Sequence, residues 1–270
     1  MYSIKTDLHT HTIFSGHAYS TIGENAHEAA KKGLTAIGMT DHFGIVSTEM
    51  QDNGLPNVGP MMNKAALPKY IEGVRVLHGV EMDIADLKGK LAFTDFYPDF
   101  FGHKSEVSFG ERLLSTRDLV IASLHFFDGC KDGTVAQNTE MYIGALQNRY
   151  VDIIGHPCRP GIEFDMRELA RAAKALNKCL EVNDHTFDTP DAVHNCRALA
   201  ECCAEEGTSI VVSSDAHSAW FIGEFDRAKS MLEEIHFPEE LIANRTLDSI
   251  AALRGKNFDC CRKPGRRCLP

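Results

Sequence analysis

Long apolar segments are absent from this sequence of 270 residues, and no stretch approaches the ~20 consecutive apolar residues that a membrane span needs. The first residues include Lys5 but lack the apolar core of a signal peptide. We therefore expect no membrane partner, no secretory signal and a cytoplasmic protein.

An excess of positive charge is also absent. The chain has 28 Lys and Arg residues against 38 Asp and Glu residues, which gives a formal net charge of −10 and a pI near 5.7. Proteins that coat nucleic acids or bind anionic membrane surfaces are usually basic. Since no basic segment interleaved with aromatic residues is present either, we expect no long nucleic acid as a partner.

The sequence also lacks a disulfide framework, a G-x-G-x-x-G turn, an internal repeat and a linker. Its nine cysteines lie within predicted strands and helices, in loops, or in the basic last residues, which is typical of free thiols. The missing glycine-rich turn argues against an open sheet that binds a dinucleotide. We predict one domain over residues 1–255, followed by a disordered tail over 256–270.

The residues that are present point to a metal site, beginning with the Asp-Leu-His-Thr-His stretch at residues 7–11. The apolar Ile4 and Leu8 suggest a short strand, on which Asp7, His9 and His11 would share one face. Two imidazoles and a carboxylate that converge there suit a metal site, in which a carboxylate can orient a histidine ring. A solvated loop is the alternative interpretation of this stretch alone.

Polar residues recur at the ends of the later predicted strands. About seven apolar strands alternate with amphipathic helices, which predicts a parallel sheet closed into a barrel-like α/β fold with its chemistry at the carboxyl ends of the strands. After the first strand, the predicted strands are 34–39, 74–80, 119–124, 151–155, 179–182 and 209–214, and the last predicted helix is 239–253.

Seven histidines and two carboxylates occupy the predicted strand ends and the loop after the first strand: His9, His11, His17, His42, Glu81, His125, His156, Asp215 and His217. Nine donors exceed the needs of one ion and suit two or three ions that share a bridging carboxylate. Imidazole-rich ligation favours zinc, with manganese or iron as alternatives, over magnesium or calcium. Because a structural site is usually closed by about four ligands, the surplus favours metal-assisted hydrolysis, above all of phosphate esters.

These residues resemble a known family. The stretches Asp-Leu-His-Thr-His (7–11), Ser-Gly-His (15–17), Thr-Asp-His (40–42), Ile-Gly-His-Pro (154–157) and Ser-Asp-Ala-His (214–217), with Glu81 and His125, closely resemble the motifs of the PHP (polymerase and histidinol phosphatase) family. Residues 16–21 and 223–225 are most similar to its YcdX-like phosphatases. The resemblance covers residues 5–250 and implies a distorted (β/α)7 barrel with a trinuclear metal centre.

The resemblance also implies a ligand assignment. One ion would be held by His9, His11, Glu81 and Asp215. A second would be held by His17, His42 and His217. A third would be held by His125, His156 and Glu81, which bridges two ions.

We therefore predict a metal-dependent phosphatase that hydrolyses small phosphate monoesters with a metal-bridging hydroxide as the nucleophile. Glu81, Asp215 and His217 would act through the metal centre. Arg159 could grip the phosphate oxygens bidentately, and a surface position beside Pro160 is an equal alternative.

Other polar residues receive supporting or structural roles. Asp7 and Asp41 are expected to contact the ligands rather than the ions. His185 could face the substrate, although its position favours the surface, and His27 and His78 are predicted to be structural. The aromatic-rich residues 83–115 are expected to pack over or beside the barrel mouth and to shape the pocket.

Two other functions remain open at this point. One is phosphodiesterase or exonuclease activity on nucleotides, as in PHP domains attached to polymerases. The other is a non-catalytic binding module that the metals stabilise.

Overall fold

The predicted alternation of strands and helices forms a parallel sheet. The computed structural model describes residues 2–44, 48–50, 56–57, 63–100 and 103–254. The predicted tail at 256–270 and much of the loop at 43–68 lie outside the described residues. Seven strands follow one another in sheet order, each parallel to the next: β1 (Thr6–Thr10), β2 (Ala36–Met39), β3 (Val74–Asp83), β4 (Leu119–Ser123), β5 (Ile153–Gly155), β6 (Cys179–Asn183) and β7 (Ile210–Ser213).

Seven α-helices lie in the described ranges: α1 (Ile22–Lys31), α2 (Phe109–Ser115), α3 (Val135–Gln147), α4 (Met166–Ala175), α5 (Pro190–Glu206), α6 (Asp226–Glu234) and α7 (Leu247–Arg254). In the described part of the chain, an α-helix follows every strand except β2. The boundaries have local causes: Thr21 and Glu24 form the capping box that begins α1, and Gly207, at φ 69°, ends α5. None of the described helices is long and apolar enough to cross a bilayer.

The sheet nearly closes on itself, which confirms the distorted (β/α)7 barrel. Between β7 and β1 the contact is a single parallel bridge from Thr10 to Ala216, with the His11 amide donating to the Ala216 carbonyl at 2.8 Å. Inside the barrel, a layer of apolar side chains fills the interior below this end: Leu8, Leu77, Leu119, Ile121, Ile153, Cys179 and Val211. The polar strand ends therefore lie directly above a layer of packed apolar side chains.

The other end of this seam is closed by Asn244. Its side-chain amide donates to the carbonyls of Thr6 (2.9 Å) and Val212 (2.7 Å) and accepts from the Val212 amide (2.9 Å). The single helix predicted over 239–253 is therefore wrong. A short 3-10 turn, Glu239–Leu241, is followed by extended chain that bonds to β7, because Asn244 is held between two strands, and α7 begins at Leu247.

A β-bulge distorts β1. The pairing with β2 shifts register between Asp7 and Thr10, so the prediction that Asp7, His9 and His11 share one face is wrong. Leu8 packs in the barrel interior, while the Asp7 carboxylate accepts hydrogen bonds from Ser214 and the Gly223 amide on the far side. Because of the extra residue, the consecutive side chains of Leu8 and His9 both face the barrel interior.

Strand β3 is longer than predicted, because it continues past Val80 and pairs with β4 as far as Asp83. Its extension is also paired on the other side by a short strand, His42–Phe43. The aromatic residues of 83–115 pack on that strand: the Phe93 and Phe109 rings lie 5.0 and 6.0 Å from the Phe43 ring. This segment therefore packs beside the barrel mouth.

Gly38 on β2 makes room for the bulge. A Cβ at this position would lie 2.3 Å from the Leu8 carbonyl oxygen, a backbone atom that cannot move away cheaply. We predict that Gly38→Ala lowers the free energy of unfolding by ~1–3 kcal/mol, as overpacking usually does. Urea unfolding would measure the loss.

Gly23 in α1 is the matched control, since a Cβ there meets nothing closer than 3.9 Å. Gly23→Ala should leave stability unchanged or raise it, because alanine favours a helix. Equal loss of stability in both variants would contradict the role assigned to Gly38.

Candidate metal centre

The nine predicted donors converge at one end of the barrel. His9, His11 and Glu81 have no exposed surface, and His156 and Asp215 are 2% exposed. His17 is the exposed member: its ring lies on the solvent side, 5.0 Å from the His42 ring and 4.6 Å from the His217 ring. The strand ends thus bring together donors that are up to 208 residues apart, such as His9 and His217.

Glu81 lies at the centre of this cluster. Its Oε2 is 2.8 Å from His42 Nδ1 and 3.2 Å from His9 Nε2, and its Oε1 is 2.9 Å from His156 Nε2. Five histidines have a ring nitrogen within 3.5 Å of one of its oxygens: His9, His11, His42, His125 and His156. Glu81 is the residue that touches the most of the other donors and can bridge ions on its two oxygens.

Asp215 forms a second carboxylate position. Its Oδ1 is 2.9 Å from His11 Nε2 and 3.4 Å from His9 Nε2, and its Oδ2 accepts from Arg159 Nη1 at 2.6 Å. Asp215 and His156 both have left-handed backbones, with φ of 55° and 27°. Such conformations are strained in non-glycine residues and cluster at functional sites.

Four histidines are oriented through Nδ1, which leaves Nε2 facing inward. Three of the Nδ1 contacts are with side chains: His9 with Glu181 Oε1 (2.7 Å), His125 with Asp83 Oδ1 (2.7 Å) and His11 with Ser15 Oγ (3.0 Å). The fourth is the contact of His217 Nδ1 with the Asp215 carbonyl at 2.9 Å. A proton on Nδ1 places the free lone pair on Nε2, the tautomer that a metal ligand needs.

Asp41 supports the His11 ring indirectly, through Ser15. The Ser15 hydroxyl donates to Asp41 Oδ1 at 2.7 Å, so it must accept from His11, and the Thr12 amide also donates to Asp41 at 2.7 Å. The predicted contact of Asp41 with a ligand is thus indirect. Asp7 contacts no ligand ring: it binds Ser214 and Gly223, and burial raises the pKa of Asp7 to about 6.

Three supporting residues were not predicted from the sequence. Asp83 follows Glu81 by two residues on the same strand, and Gly44 makes room for it, since a Cβ there would lie 1.6 Å from Asp83 Oδ2. Glu181 is a charged residue in a buried strand, the same signal that drew attention to Glu81. Ser15 precedes His17 within a recognised motif. The first two signals were available in the sequence, whereas the role of Ser15 depends on the fold.

In the part of the chain that the structure describes, four hydrogen-bond donors surround the Glu181 carboxylate. Its Oε1 accepts from His9 Nδ1 and from the Ser213 hydroxyl, and its Oε2 accepts from the His156 amide at 2.7 Å and from Asn183 Nδ2 at 3.3 Å. One buried carboxylate therefore fixes the ring of His9 and the strained backbone of His156.

The cluster fits cations. Among the described residues, several buried atoms of the donor set form no well-aligned hydrogen bond, although some of them lie within 2.9 Å of each other: Nε2 of His9, His11, His125 and His217, Nδ1 of His42, Oε2 of Glu81 and Oδ1 of Asp215. Buried polar atoms are nearly always paired, so a group of orphaned lone pairs that face one another is best satisfied by bound metal ions.

The electrostatics divide the donors. Burial would lower the pKa of His9, but the neighbouring carboxylates of Glu181 and Glu81 outweigh it and raise that pKa well above its usual range. Burial is likewise outweighed at His125, where Glu81 and Asp83 raise the pKa to about 10. A cation must therefore displace a proton from each of these rings.

Burial would raise the pKa of Glu81, but His9, His125 and His42 outweigh it and hold that pKa well below its usual range. Burial lowers the pKa of His217 to about 4, and burial with the nearby Arg159 lowers the pKa of His156 to about 4. At neutral pH these two imidazoles are neutral and Glu81 is ionised, which is the state in which each can bind a cation.

Four triplets have ligand atoms within 4.8 Å of one another: His9–His11–Asp215, His9–Glu81–His156, His42–Glu81–His125 and His11–His42–His217. The first matches part of the ligand set expected for one ion. In the last, His11 takes the place expected for His17, whose ring lies beside those of His42 and His217. The triplets leave open how the nine donors divide among the ions.

Two adjacent cavities lie at the cluster. The centre cavity, of about 470 Å³, is lined by His17, His42, Asp83, His125, Arg159, His185 and His217. The side cavity, of about 960 Å³, shares His185 and His217 with it and extends past Phe221 and Arg227. Arg159 and His185 thus face the cavities, although 48% of the His185 side chain is exposed. Among the described residues after Asp83, none from the 83–115 segment lines the centre cavity.

The helix and strand histidines that were predicted to be structural lie outside the cluster. His27, on α1, pairs with Glu72 at 2.9 Å on the surface. His78, within β3, is 2% exposed, and burial lowers its pKa to about 4. Neither contributes to the triplets found among the described residues.

Comparison with known proteins identifies the site's relatives. The model of the PHP domain matches residues 7–189. A probable phosphatase of Caldanaerobacter subterraneus is 40% identical over 248 residues, covering 90% of this chain and 88% of that protein. A probable phosphatase of Clostridium novyi is 36% identical over 241 residues, covering 88% and 89%.

A solved structure has the same fold. It is the histidinol phosphate phosphatase of Lactococcus lactis, complexed with zinc, L-histidinol and phosphate. It aligns with a TM-score of 0.60 at 21% identity and covers 87% of this chain and 94% of that chain.

Glu181 provides a test of how the centre is held. In Glu181→Gln, the amide NH₂ would face donors on every side and would favour the wrong tautomer of His9, with the proton on Nε2. We predict that zinc affinity falls ~10–100-fold, as for other residues that orient a metal ligand. Zinc titration against a competing chelator would measure it.

The matched control is Glu240→Gln, since Glu240 is exposed in a 3-10 turn far along the chain. It should keep wild-type affinity. An unchanged affinity in Glu181→Gln, with the fold intact by circular dichroism, would show that Glu181 does not orient the ligands.

Proposed function

The chain belongs to the PHP family and is a phosphatase, and from that premise we propose that it hydrolyses small phosphate monoesters at a centre of two to three transition-metal ions. The observation that carries the proposal is the convergence of seven imidazoles and the two buried carboxylates of Glu81 and Asp215 at one end of the barrel. The number of donors is larger than a structural site uses, and the centre cavity gives the cluster access to solvent.

We propose the following ligands. His9, His11, Glu81 and Asp215 would hold one ion. His17, His42 and His217 would hold a second. His125, His156 and Glu81 would hold a third. Zinc is the first metal to test, with manganese and iron next, because imidazoles dominate the set.

Bound ions would supply a water of lowered pKa as the nucleophile and would neutralise charge on the phosphoryl group. The protein's own residues prepare that chemistry. Glu181, Asp83 and Ser15 hold His9, His125 and His11 with Nε2 inward. Arg159, anchored on Asp215 and facing the centre cavity, can donate to a phosphoryl oxygen and fix the ester.

The size of the site supports a small substrate. The centre cavity of about 470 Å³ lies within the range of small-molecule sites. The net charge of −10 disfavours long nucleic acid, because a nucleic-acid site needs a basic track along the phosphate backbone. Phosphodiesters should therefore be poor substrates beside monoesters.

Glu81→Gln is the decisive variant. It keeps nearly the same volume but removes the negative charge between the ions and leaves one acceptor oxygen. We predict that the protein purified without chelator contains two to three ions per chain, that Glu81→Gln loses at least one, and that phosphate release falls by more than ~100-fold, beyond the loss typical of an orienting residue.

His27→Gln is the control, because His27 lies on the surface of α1 and should change neither metal content nor rate. Elemental analysis and a phosphate-release screen of monoesters and diesters would measure both variants. One ion or none in folded wild-type protein, wild-type turnover in Glu81→Gln, or equal losses in the two variants would contradict the proposal.

Arg159 tests the binding of the phosphoryl group. Because a hydrogen bond to a charged group contributes ~1.5–3 kcal/mol, Arg159→Ala should raise KM for a monoester by at least ~10-fold. Metal content should stay unchanged, which separates substrate binding from support of Asp215. An unchanged KM, or a rate loss explained by lost metal, would refute this role.

A further inference from the structure

A third concavity lies beside the cavities of the metal centre and is not used by the proposed chemistry. This aromatic groove, of about 780 Å³, is lined by residues 19–28 of the loop after β1 and of α1, and by residues 218–221 after β7. Three of its aromatic side chains are unusually exposed: Tyr19 at 84%, Trp220 at 74% and Phe221 at 57%. Exposed apolar side chains gathered in one concavity mark a binding site more often than scattered ones do.

The walls of the groove are fixed to each other and to the centre. The Tyr19 amide donates to the His217 carbonyl at 2.8 Å, and the Ala219 amide donates to Ser20 Oγ at 2.9 Å. The Lys32 ammonium donates to the Trp220 carbonyl at 2.8 Å. The groove is therefore a preformed feature whose position is set by the same loop that carries His217.

The groove adjoins the cavities of the centre through shared lining residues. Phe221 lines both the groove and the side cavity, and His217 lines both the side cavity and the centre cavity. The three cavities are therefore neighbours, in the order centre cavity, side cavity and aromatic groove. This adjacency makes the substrate itself the occupant that the geometry favours, with its phosphate in the centre cavity and its far end at the aromatic rings.

The side chains of the groove that remain exposed indicate which chemical group would bind there. Glu24 accepts from Thr21 in the capping box, Glu28 binds the Lys31 ammonium at 2.5 Å, and His27 pairs with Glu72. These polar groups are engaged within the protein, whereas the aromatic faces of Tyr19, Trp220 and Phe221 remain exposed. The groove is suited to a neutral, flat, apolar group rather than to a charged one.

We propose that the aromatic groove binds the leaving group of the substrate, so that the preferred monoesters carry an aromatic or similarly flat apolar group at a distance from the phosphate. The proposal rests on the proposed function, because it assigns the far end of the same ester. The rings would lower KM for such esters without taking part in the chemical step.

The test compares ω-phenylalkyl phosphates of increasing chain length with the matching n-alkyl phosphates. Their alcohols have similar pKa values, so the chemistry stays constant while the far end changes. At the length at which the phenyl ring reaches the groove, the phenyl ester should have the lower KM. Trp220→Ala should raise that KM about three- to tenfold, with kcat and the alkyl esters unchanged. Tyr97→Ala removes an exposed ring elsewhere, 43% exposed, and should have no effect.

A second measurement does not need turnover. Trp220 is the only tryptophan in the chain, so its fluorescence reports on this groove directly. Titration of the holoenzyme with the phenylalkyl alcohols should change the emission, and the alkyl alcohols should not. If no ester of either series is cleaved, the proposed function fails, and the titration alone decides the groove.

Three outcomes would overturn the proposal. The first is the absence of a phenyl preference at any chain length together with an unchanged emission. The second is a preference that survives Trp220→Ala. The third is that Trp220→Ala has a smaller molecular mass in solution than the wild-type protein while its KM values are unchanged. That result would show that the groove binds a second copy of the chain.

Discussion

The buried carboxylate of Glu81 is the constraint on which the catalytic end of this barrel depends. An ion without exposed surface costs several kcal/mol of desolvation unless opposite charge or hydrogen bonds offset it. Ring nitrogens of five histidines lie within 3.5 Å of its oxygens, and those rings come from four separate segments of the chain. Burying one glutamate at the end of β3 therefore requires the ends of β1, β4 and β5 and the short strand His42–Phe43 to meet around it, and the barrel is the arrangement that brings them together.

The rings around Glu81 present lone pairs inward because polar groups hold them from behind. Glu181 and Asp83 lie behind His9 and His125, while Ser15 relays the charge of Asp41 to His11. The centre therefore has two layers of negative charge separated by imidazoles. Such a layer raises the basicity of the ligands and selects their tautomer. Glu181 also fixes the strained backbone of His156 by accepting from its amide, and Arg159 holds the carboxylate of Asp215.

Much of this fold could be predicted from the sequence, because the signals are local. Apolar runs that end in His, Asp or Glu indicate parallel strands with a site at one edge, and the capping box at Thr21 and Glu24 marks a helix start. The predictions failed where a distant contact overrides the local pattern. Asn244 breaks the last predicted helix because it bonds to β1 and β7, more than 30 residues away in either case. The bulge in β1 depends on the space that Gly38 leaves on the neighbouring strand.

The candidate metal centre likewise divides into residues that could be predicted from the sequence and residues that could not. The convergence of the nine candidate donors could be predicted, since most of them are polar residues at the end of an apolar strand. The groups that orient them were not all predictable, because orientation depends on which strands become neighbours. Asp83 was missed because β3 was ended at Val80, although Asp83 follows Glu81 by only two residues; the strand pairs with β4 as far as Asp83. Glu181 was missed although it is as conspicuous in β6 as Glu81 is in β3.

The incomplete closure of the barrel has a consequence for function. A full ladder between β7 and β1 would engage the backbone after Ser213 in regular pairing and would force an extended conformation. Instead, one bridge at Ala216 and the side chain of Asn244 close the seam at its two ends. The segment after β7 is then free to place Asp215 in a left-handed conformation, to direct His217 toward His11, and to turn outward through Trp220. The distortion of the barrel thus allows one short segment to supply candidate metal donors to the centre and aromatic rings to the groove beside it.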